Sequence, residues 1–410
     1  MSRDLVYKLK RPYHFIKTGL LRGLKARIKY NFPDKKLKII AITGTDGKTT
    51  SSTLLYDVLK SSGKKVALVS TVGAYIGEKK IETGFHVTSP SPDQLFAFMS
   101  QMLDQEIEYL VLEFTSQGAY QSRLFGIKPL IAGVTNIDQD HFDYHLNYQN
   151  YLEAKAIGLK KARTVVLNED DQSYYRLRRL FPSSQYKVLE YSQEIKLANK
   201  IEKAIKDRFL EFFNQNNARL VSTIALELGL EPEQIAQAIS KFKGVEGRMQ
   251  IIPNQKGLKI VVDFAHTPQG LRSALTALRL MMKKDARANK TAGGRLIAVY
   301  GCAGLRDAAK RPIMGEIGVE LADLLVFTAE DPRTEDVWSI IRQMKESLQS
   351  GHNKISSIPD RQEAINFAIQ KLAKKGDTVA IFGKGPEKSM CYGTTEIPWS
   401  DEGAVKKALQ

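Results

Sequence analysis

The sequence predicts an α/β protein of two domains, each built on a mostly parallel sheet. Three observations carry that prediction. Short apolar runs alternate with helix-like stretches from Leu37 onward. The run at 39–43 ends in a glycine-flanked turn that leads at once into Lys48, Thr49 and Thr50. A mainly helical stretch at 193–247 separates a first alternating series from a second.

The elements follow in order. Residues 1–37 form a basic N-terminal segment. Residues 1–38 hold 12 Lys/Arg and 2 Asp/Glu, which accounts for +10 of the net charge of +16. Pro12 is expected to break this segment early, with an amphipathic helix after it. Such a helix either packs on the body with its lysines in water or lies on an anionic membrane surface. No aromatic-basic motif of an RNA-binding type is present, so no nucleic acid partner is expected. A central domain spans 38–247. LKIIAIT, KVALVST, YLVLEFT, LIAGVTN and TVVLN read as its buried strands. TSSTLLYDVLKSSG reads as a helix stopped by Gly63, and SPDQLFAFMSQML as one capped by Ser91 with Pro92 in its first turn. The last domain spans 248–410, with strands KIVVDF, RLIAVYG, DLLVFTAE, KISSI and DTVAIFG. GVEGR at 244–248 marks the boundary.

Composition narrows the class. A chain of 410 residues with 43% apolar content has ample material for packed cores. Cys302 and Cys391 cannot form a disulfide framework, which fits a reducing cytoplasm. No apolar run approaches the length of a membrane span.

The turn at 44–50 has the properties of a phosphate cradle. Gly44, Thr45, Asp46 and Gly47 let backbone N–H groups close on phosphate oxygens, at a helix N-terminus whose dipole favours anions. Lys48 would reach the outer phosphates and Thr49 would hold Mg²⁺. The spacing departs from the usual phosphate loop, because Ile42 stands where the first glycine belongs. An ordinary structural turn is the competing reading, and the strand before and helix after argue against it.

TGTDGKTT resembles the phosphate loop of the Mur ligases, the ATP-dependent amino-acid ligases of peptidoglycan synthesis. Other strings agree in order: LEFTSQG at 112–118, TNIDQDHFDYH at 135–145, YLEAK at 151–155, FNQNNA at 213–218 and GVEGRM at 244–249. VVDFAHTP at 261–268, GCAGLRDAAKRP at 301–312, EDPRTED at 330–336 and GKGPE at 383–387 continue the series. The resemblance covers about residues 38–410. It implies a P-loop-type central ATPase domain and a Rossmann-like C-terminal α/β domain that receives the amino acid.

It also implies an activity. ATP phosphorylates a carboxylate, an amine attacks the acyl phosphate, and an amide forms. The nearest branch adds the third residue to a muramoyl-L-alanyl-D-glutamate peptide. The cofactors implied are ATP, two Mg²⁺ ions and a carbamylated Lys155. Lys48, His141 and Lys155 are the catalytic candidates. Thr49, Glu113, His141 and Lys155 are the implied metal ligands. Thr50, Asn136, Asn217, Arg248 and Asp263 join the phosphate loop in holding ATP. Thr88, Ser89, Thr115, Ser116, Gln121 and Arg123 match positions near the muramoyl-peptide. His266, Arg306, Asp331, Arg333, Gly383 and Glu387 match positions near the incoming amino acid. An arginine can grip a carboxylate with two parallel hydrogen bonds, which is the role the resemblance implies for Arg333. Asp331 replaces the amide that marks diaminopimelate-adding branches, and its added negative charge could weaken that contact. Diaminopimelate is therefore expected first, with lysine or another diamino acid open. By itself Lys155 reads as a surface lysine, and only the resemblance promotes it.

Three departures stand out. Only about 40 residues precede the phosphate loop, where the family carries a domain for uridine diphosphate. The region from Ser192 to Phe213 is short. Gln117 and Pro386 replace histidines. A lipid-linked acceptor is therefore an alternative, with residues 1–36 making peripheral contact at the inner membrane surface. A folylpolyglutamate-synthetase-like ligase and a non-catalytic ATP-binding homologue also stay open. A monomer is expected.

Overall fold

The computed structural model describes residues 3–81, 89–289 and 294–410. They fall into two compact units, Met1–Lys243 and Gly244–Gln410.

The first unit is built on eight strands: β1 (Lys38–Thr43), β2 (Val66–Ser70), β3 (Gly73–Ile76), β4 (Lys79–Ile81), β5 (Tyr109–Glu113), β6 (Ile131–Val134), β7 (Thr164–Asn168) and β8 (Lys187–Tyr191). Their order across the sheet is β4-β3-β2-β5-β1-β6-β7-β8. Six run parallel, and β3 and β4 form an antiparallel edge. The central strands are apolar along their whole length because both faces are covered. Ile39 and Ala41 of β1 enter one core with Phe96, Met99, Leu110 and Leu112, while Ile40 and Ile42 are buried on the opposite face. Strand β1 lies between β5 and β6; the connection from β1 runs to β2 on one side, and the connection from β5 crosses to β6 on the other. That is the position where open α/β sheets bind ligands.

The second unit has a six-stranded sheet: β9 (Gln250–Ile252), β10 (Lys259–Asp263), β11 (Leu296–Tyr300), β12 (Leu324–Phe327), β13 (Ile355–Ser357) and β14 (Thr378–Phe382). The order is β13-β12-β11-β14-β10-β9, parallel except for β9. Alternate residues of β11 serve two cores: Leu296, Ala298 and Tyr300 on one face, Ile297 and Val299 on the other. A hairpin of β15 (Ser389–Tyr392) and β16 (Thr395–Pro398) follows. The fully buried pair Arg361–Asp401 ties the C-terminal helix to this sheet. Arg361 donates to both carboxylate oxygens at 2.8 and 2.7 Å and to the carbonyls of Ala329 and Phe382.

The N-terminal segment corrects the expectation at Pro12. Proline does not end the helix; it lies inside Arg3–His14, and the chain continues helically through Phe15–Leu24 to Lys25–Lys29. The middle section is the wide π form. Proline removes one N–H from the ladder and crowds the preceding turn, yet the helix runs on through it. The helix packs on the first unit. Gly19 and Gly23 are buried against Phe125, where an added Cβ would come within 2.8 and 2.9 Å of that side chain. Among the described residues, no helix is long and apolar enough to cross a membrane.

Candidate active-site residues of each unit

The register of the first sheet assembles the phosphate loop. Ile42 pairs with Glu113 across β1 and β5, and Thr43 with Val134 across β1 and β6. The ends of three neighbouring parallel strands therefore deliver Gly44–Thr49, Glu113 and Thr135–Asn136 to one edge. The loop is tied from below. Thr45 and Asp46 donate their backbone N–H groups to the Asn136 side-chain oxygen at 3.2 and 2.9 Å. Thr135 donates its hydroxyl to the Asp46 carbonyl at 2.6 Å. Gly47 takes φ +81°, and a Cβ there would stand 2.3 Å from the Asn217 side-chain oxygen. Glycine is thus required at that position both by conformation and by space. Lys48 donates to the Thr45 carbonyl at 2.7 Å, and Thr50 is buried in the first turn of the helix Lys48–Ser61.

Glu113 is fully buried, and three donors hold it. Thr49 donates its hydroxyl to Oε1 at 3.1 Å, and Thr71 donates its hydroxyl and its N–H at 3.0 Å each. Lys155 is 1% exposed and donates to the Gly44 carbonyl. Burial, and secondarily the neighbouring Lys48, push its pKa well below the ordinary lysine value. The expected surface lysine is thus a buried amine under the phosphate loop, 4.5 Å from the Tyr151 ring centroid.

His141 takes φ +53° and stands 3.2 Å from Asp140. Its side chain is half-buried. Burial lowers its pKa, Asp140 opposes that, and Lys155 and Lys48 reinforce it. Among the described residues, no three His, Cys, Asp or Glu side chains converge as a metal cage. Mg²⁺ takes one or two carboxylates and completes its shell with water and substrate phosphates, so Glu113 and Thr49 fit such a donor set.

The acceptor candidates form a connected group. Ser89 accepts the Thr115 N–H at 3.1 Å, and Thr115 in turn caps Gly118. Arg123 donates to the Ser89 carbonyl at 2.6 Å and to Gln121 at 3.0 Å. Gln121 donates to the Tyr144 hydroxyl. Burial lowers the Arg123 pKa. Ser116 meets His145 at 3.0 Å, and the other His145 ring nitrogen meets the Tyr7 hydroxyl at 2.7 Å. Burial drives the His145 pKa down to about 3. Thr88 lies outside the described residues.

In the second unit, the ends of parallel strands again gather the candidates. Asp263 accepts the N–H groups of Met249 and Ala265, both at 2.8 Å. Its pKa is raised by burial, with Arg248 opposing. Arg248 stacks 4.3 Å above the Phe264 ring centroid. His266 contacts the Phe264 carbonyl, and Lys310 donates to the His266 carbonyl. Asp331 shares a buried cation, Lys384, with Glu387, and that cation partly offsets the negative charge it adds. Lys384 stands 2.7 Å from Asp331, and the Cys391 N–H donates to the same carboxylate at 3.0 Å. Lys384 also reaches Glu387 at 2.5 Å. Gly383 makes room for Glu330, since a Cβ there would fall 2.6 Å from its carboxylate. Arg333 donates to the Gly304 carbonyl at 2.6 Å, and Arg306 is exposed.

Sequence reasoning missed Tyr151, Thr71 and Thr135. Tyr151 shares a helix face with Lys155 four residues on, which is a usable signal, and its hydroxyl lies 3.1 Å from that of Thr45. Thr71 follows β2 and carries no local signal. Only the pairing of β2 with β5 brings it to Glu113.

Comparison with known proteins finds relatives of both units. The model of the Mur ligase middle domain matches residues 42–228, and that of the Mur ligase glutamate ligase domain matches 247–385. UDP-N-acetylmuramoyl-L-alanyl-D-glutamate--2,6-diaminopimelate ligase 1 of Clostridium acetobutylicum is 35% identical over 93% of this chain and 80% of its own length. The enzyme of that name from Geobacillus thermodenitrificans is 31% identical with the same coverage. A solved structure of such a ligase aligns with TM-score 0.58 at 27% identity, over 95% of this chain and 82% of the other. Mycobacterium tuberculosis folylpolyglutamate synthase aligns with TM-score 0.69 at 15% identity over 99% of both chains, a likeness of fold alone. The chain belongs to the Mur ligase family.

Proposed function

We propose that this chain is an ATP-dependent ligase of peptidoglycan synthesis that adds the third amino acid to a muramoyl-L-alanyl-D-glutamate peptide. Diaminopimelate is the amino acid we assign first. The observation that carries this reading is the buried Lys155 amine beneath a loop that presents Lys48 and Thr49, with Glu113 of β5 accepting from Thr49.

Each residue then has a task. The loop N–H groups and Lys48 hold the ATP phosphates, and Asn136 keeps the loop in shape. Thr49, Glu113 and His141 would hold Mg²⁺, which when bound offsets phosphate charge. Burial, and secondarily the neighbouring Lys48, favour the neutral, nucleophilic form of the Lys155 amine. Its nitrogen can bond to the carbon of CO₂ and release a proton, which turns a cation site into a carbamate anion. Asn217 sits against Gly47. Arg248 and Asp263 are assigned to the adenosine part of ATP. Thr115, Ser116, Gln121, Arg123, Ser89 and Thr88 are assigned to the muramoyl-peptide. Arg333, Arg306, Asp331, His266, Gly383 and Glu387 are assigned to the amino acid. The pairing of Asp331 with Lys384, which Glu387 shares, partly offsets the charge of that carboxylate, and Arg333 remains the residue we assign to the amino-acid carboxylate. We also assign a cytoplasmic location, a monomeric state and peripheral contact with the membrane through residues 1–36.

Phosphate release from ATP tests the reading. The muramoyl dipeptide is offered in its uridine-diphosphate form with a panel of amino acids. Release that depends on diaminopimelate and on the dipeptide supports the assignment. No release with any amino acid overturns it.

A further inference from the structure

We propose that the outward face of the N-terminal helix is a docking surface for an anionic lipid bilayer. This deepens the peripheral contact assigned above and is independent of the chemistry given to the phosphate loop.

The first argument is that the helix cannot turn its apolar residues inward. Its inner side is already fixed. Tyr7 is buried, its ring stacks on Tyr120 with centroids 4.6 Å apart, and its hydroxyl meets His145. Gly19 and Gly23 let the backbone close on Phe125, and Ala26 enters the core of the first unit. Arg27 forks onto Asp34 at 3.0 and 2.8 Å. These contacts set the rotation of the helix along its length.

The second argument is what that rotation leaves outside. Leu9, Tyr13, Ile16 and Leu20 recur at helical spacing and are 54, 52, 53 and 38% exposed. Phe15, Leu21 and Ile28 are exposed as well. No other stretch of comparable length among the described residues exposes so many large apolar side chains. Scattered exposed leucines need no explanation, but a concentrated stripe does.

Charge identifies the occupant. Between Leu5 and Pro33 the sequence has no Asp or Glu. Lys8, Lys10, Arg11, Lys17, Arg22, Lys25 and Lys29 are exposed beside the apolar stripe. These like charges would repel a second copy of the same face. An anionic headgroup layer accepts the cations while the acyl boundary takes the apolar stripe.

Co-sedimentation with vesicles tests this. Vesicles of phosphatidylcholine alone are compared with vesicles in which roughly a third is replaced by phosphatidylglycerol. The full chain is expected to pellet with the anionic vesicles only, and less as salt is added. The triple variant Leu9→Gln, Ile16→Gln, Leu21→Gln changes exposed positions only, so it should fold with an unchanged melting temperature and lose about tenfold or more of the binding. Failure of the wild-type chain to pellet, or equal pelleting of the variant, overturns the proposal. A concentration-dependent dimer in sedimentation velocity that the triple variant abolishes, without lipid binding, assigns the face to self-association and also overturns it. Phosphate release measured on the same proteins without vesicles keeps the two readings apart. Lipid binding without phosphate release removes the ligase assignment alone, and the reverse removes this proposal alone.

Discussion

Each unit buries a lysine beside its candidate site, and the two lysines behave in opposite ways. Lys155 of the first unit is 1% exposed and donates to the Gly44 carbonyl. Burial and Lys48 push its pKa far down, and Asp140 and Asp46 oppose that without reversing it. Lys384 of the second unit is fully buried as well. Burial pulls its pKa down too, but Glu387 and Asp331 more than offset that and leave it raised. A buried amine is therefore a reactive group or a structural cation according to how closely carboxylates accompany it. The first arrangement suits a residue meant to react with CO₂. In the second, the cation holds two acidic side chains in place.

Removing the chemistry gives the largest expected effects. Lys48→Ala should lower phosphate release by a factor of about 100 to 1000, since a donor to the developing phosphoryl charge is lost. Lys155→Met should lower it comparably. Yet in CO₂-depleted buffer that variant should raise the stability of the first unit by about 1 kcal/mol or more, because an amine that is costly to bury is gone. Lys384→Met should do the reverse to the second unit and cost about 3 kcal/mol, since Asp331 and Glu387 lose their partner. Denaturant unfolding followed separately for each unit distinguishes the two. A destabilised Lys155→Met protein would break the comparison.

Acidity sharpens the same contrast. His145 has its pKa pushed from 6.5 to about 3 by burial. Between those values the unfolded chain binds the extra proton, so the first unit loses stability as pH falls through that window. Glu330 is raised by burial from 4.5 to about 7, against the pull of Lys310 and Arg361. Here the folded chain binds the extra proton, so the second unit loses stability as pH rises from about 4.5 to about 7. Each slope is at most about 1.4 kcal/mol per pH unit. His145→Gln and Glu330→Gln should flatten the two slopes respectively, in urea titrations across pH. The smallest effect is expected at a helix cap. Ser91 accepts the Gln94 N–H and completes a capping box, and Ser91→Ala should cost about 1 kcal/mol by thermal unfolding.

Most parallel strands were legible in the sequence because both of their faces are covered and they read as unbroken apolar runs; the parallel edge strand β8, in which only Tyr191 is buried, was missed. The antiparallel edge strands β3 and β4 were missed too. They are short, and Lys79 and Lys80 of β4 are exposed, so no apolar pattern marks them. Ser91 and Gly63 marked helix ends through local chemistry: a side-chain cap, and a left-handed residue at φ +80°. Pro12 misled because its local rule ignores the packing of Gly19 and Gly23, which holds the helix together beyond it.

The candidate site divides along the same line. The sequence by itself determined the glycine-flanked turn between β1 and the helix Lys48–Ser61, since its glycines, lysine and threonines are consecutive and the turn follows from backbone shape. It also determined the order of the motifs that mark the family. Only the tertiary structure decided that Lys155 is buried rather than solvated, that Thr71 holds Glu113, and that Lys384 bridges Asp331 and Glu387. Most of these pairs lie far apart in the chain and meet through strand order and register. The electrostatic character of a buried group depends on which charges share its low-dielectric surroundings, and no local pattern of residues specifies that.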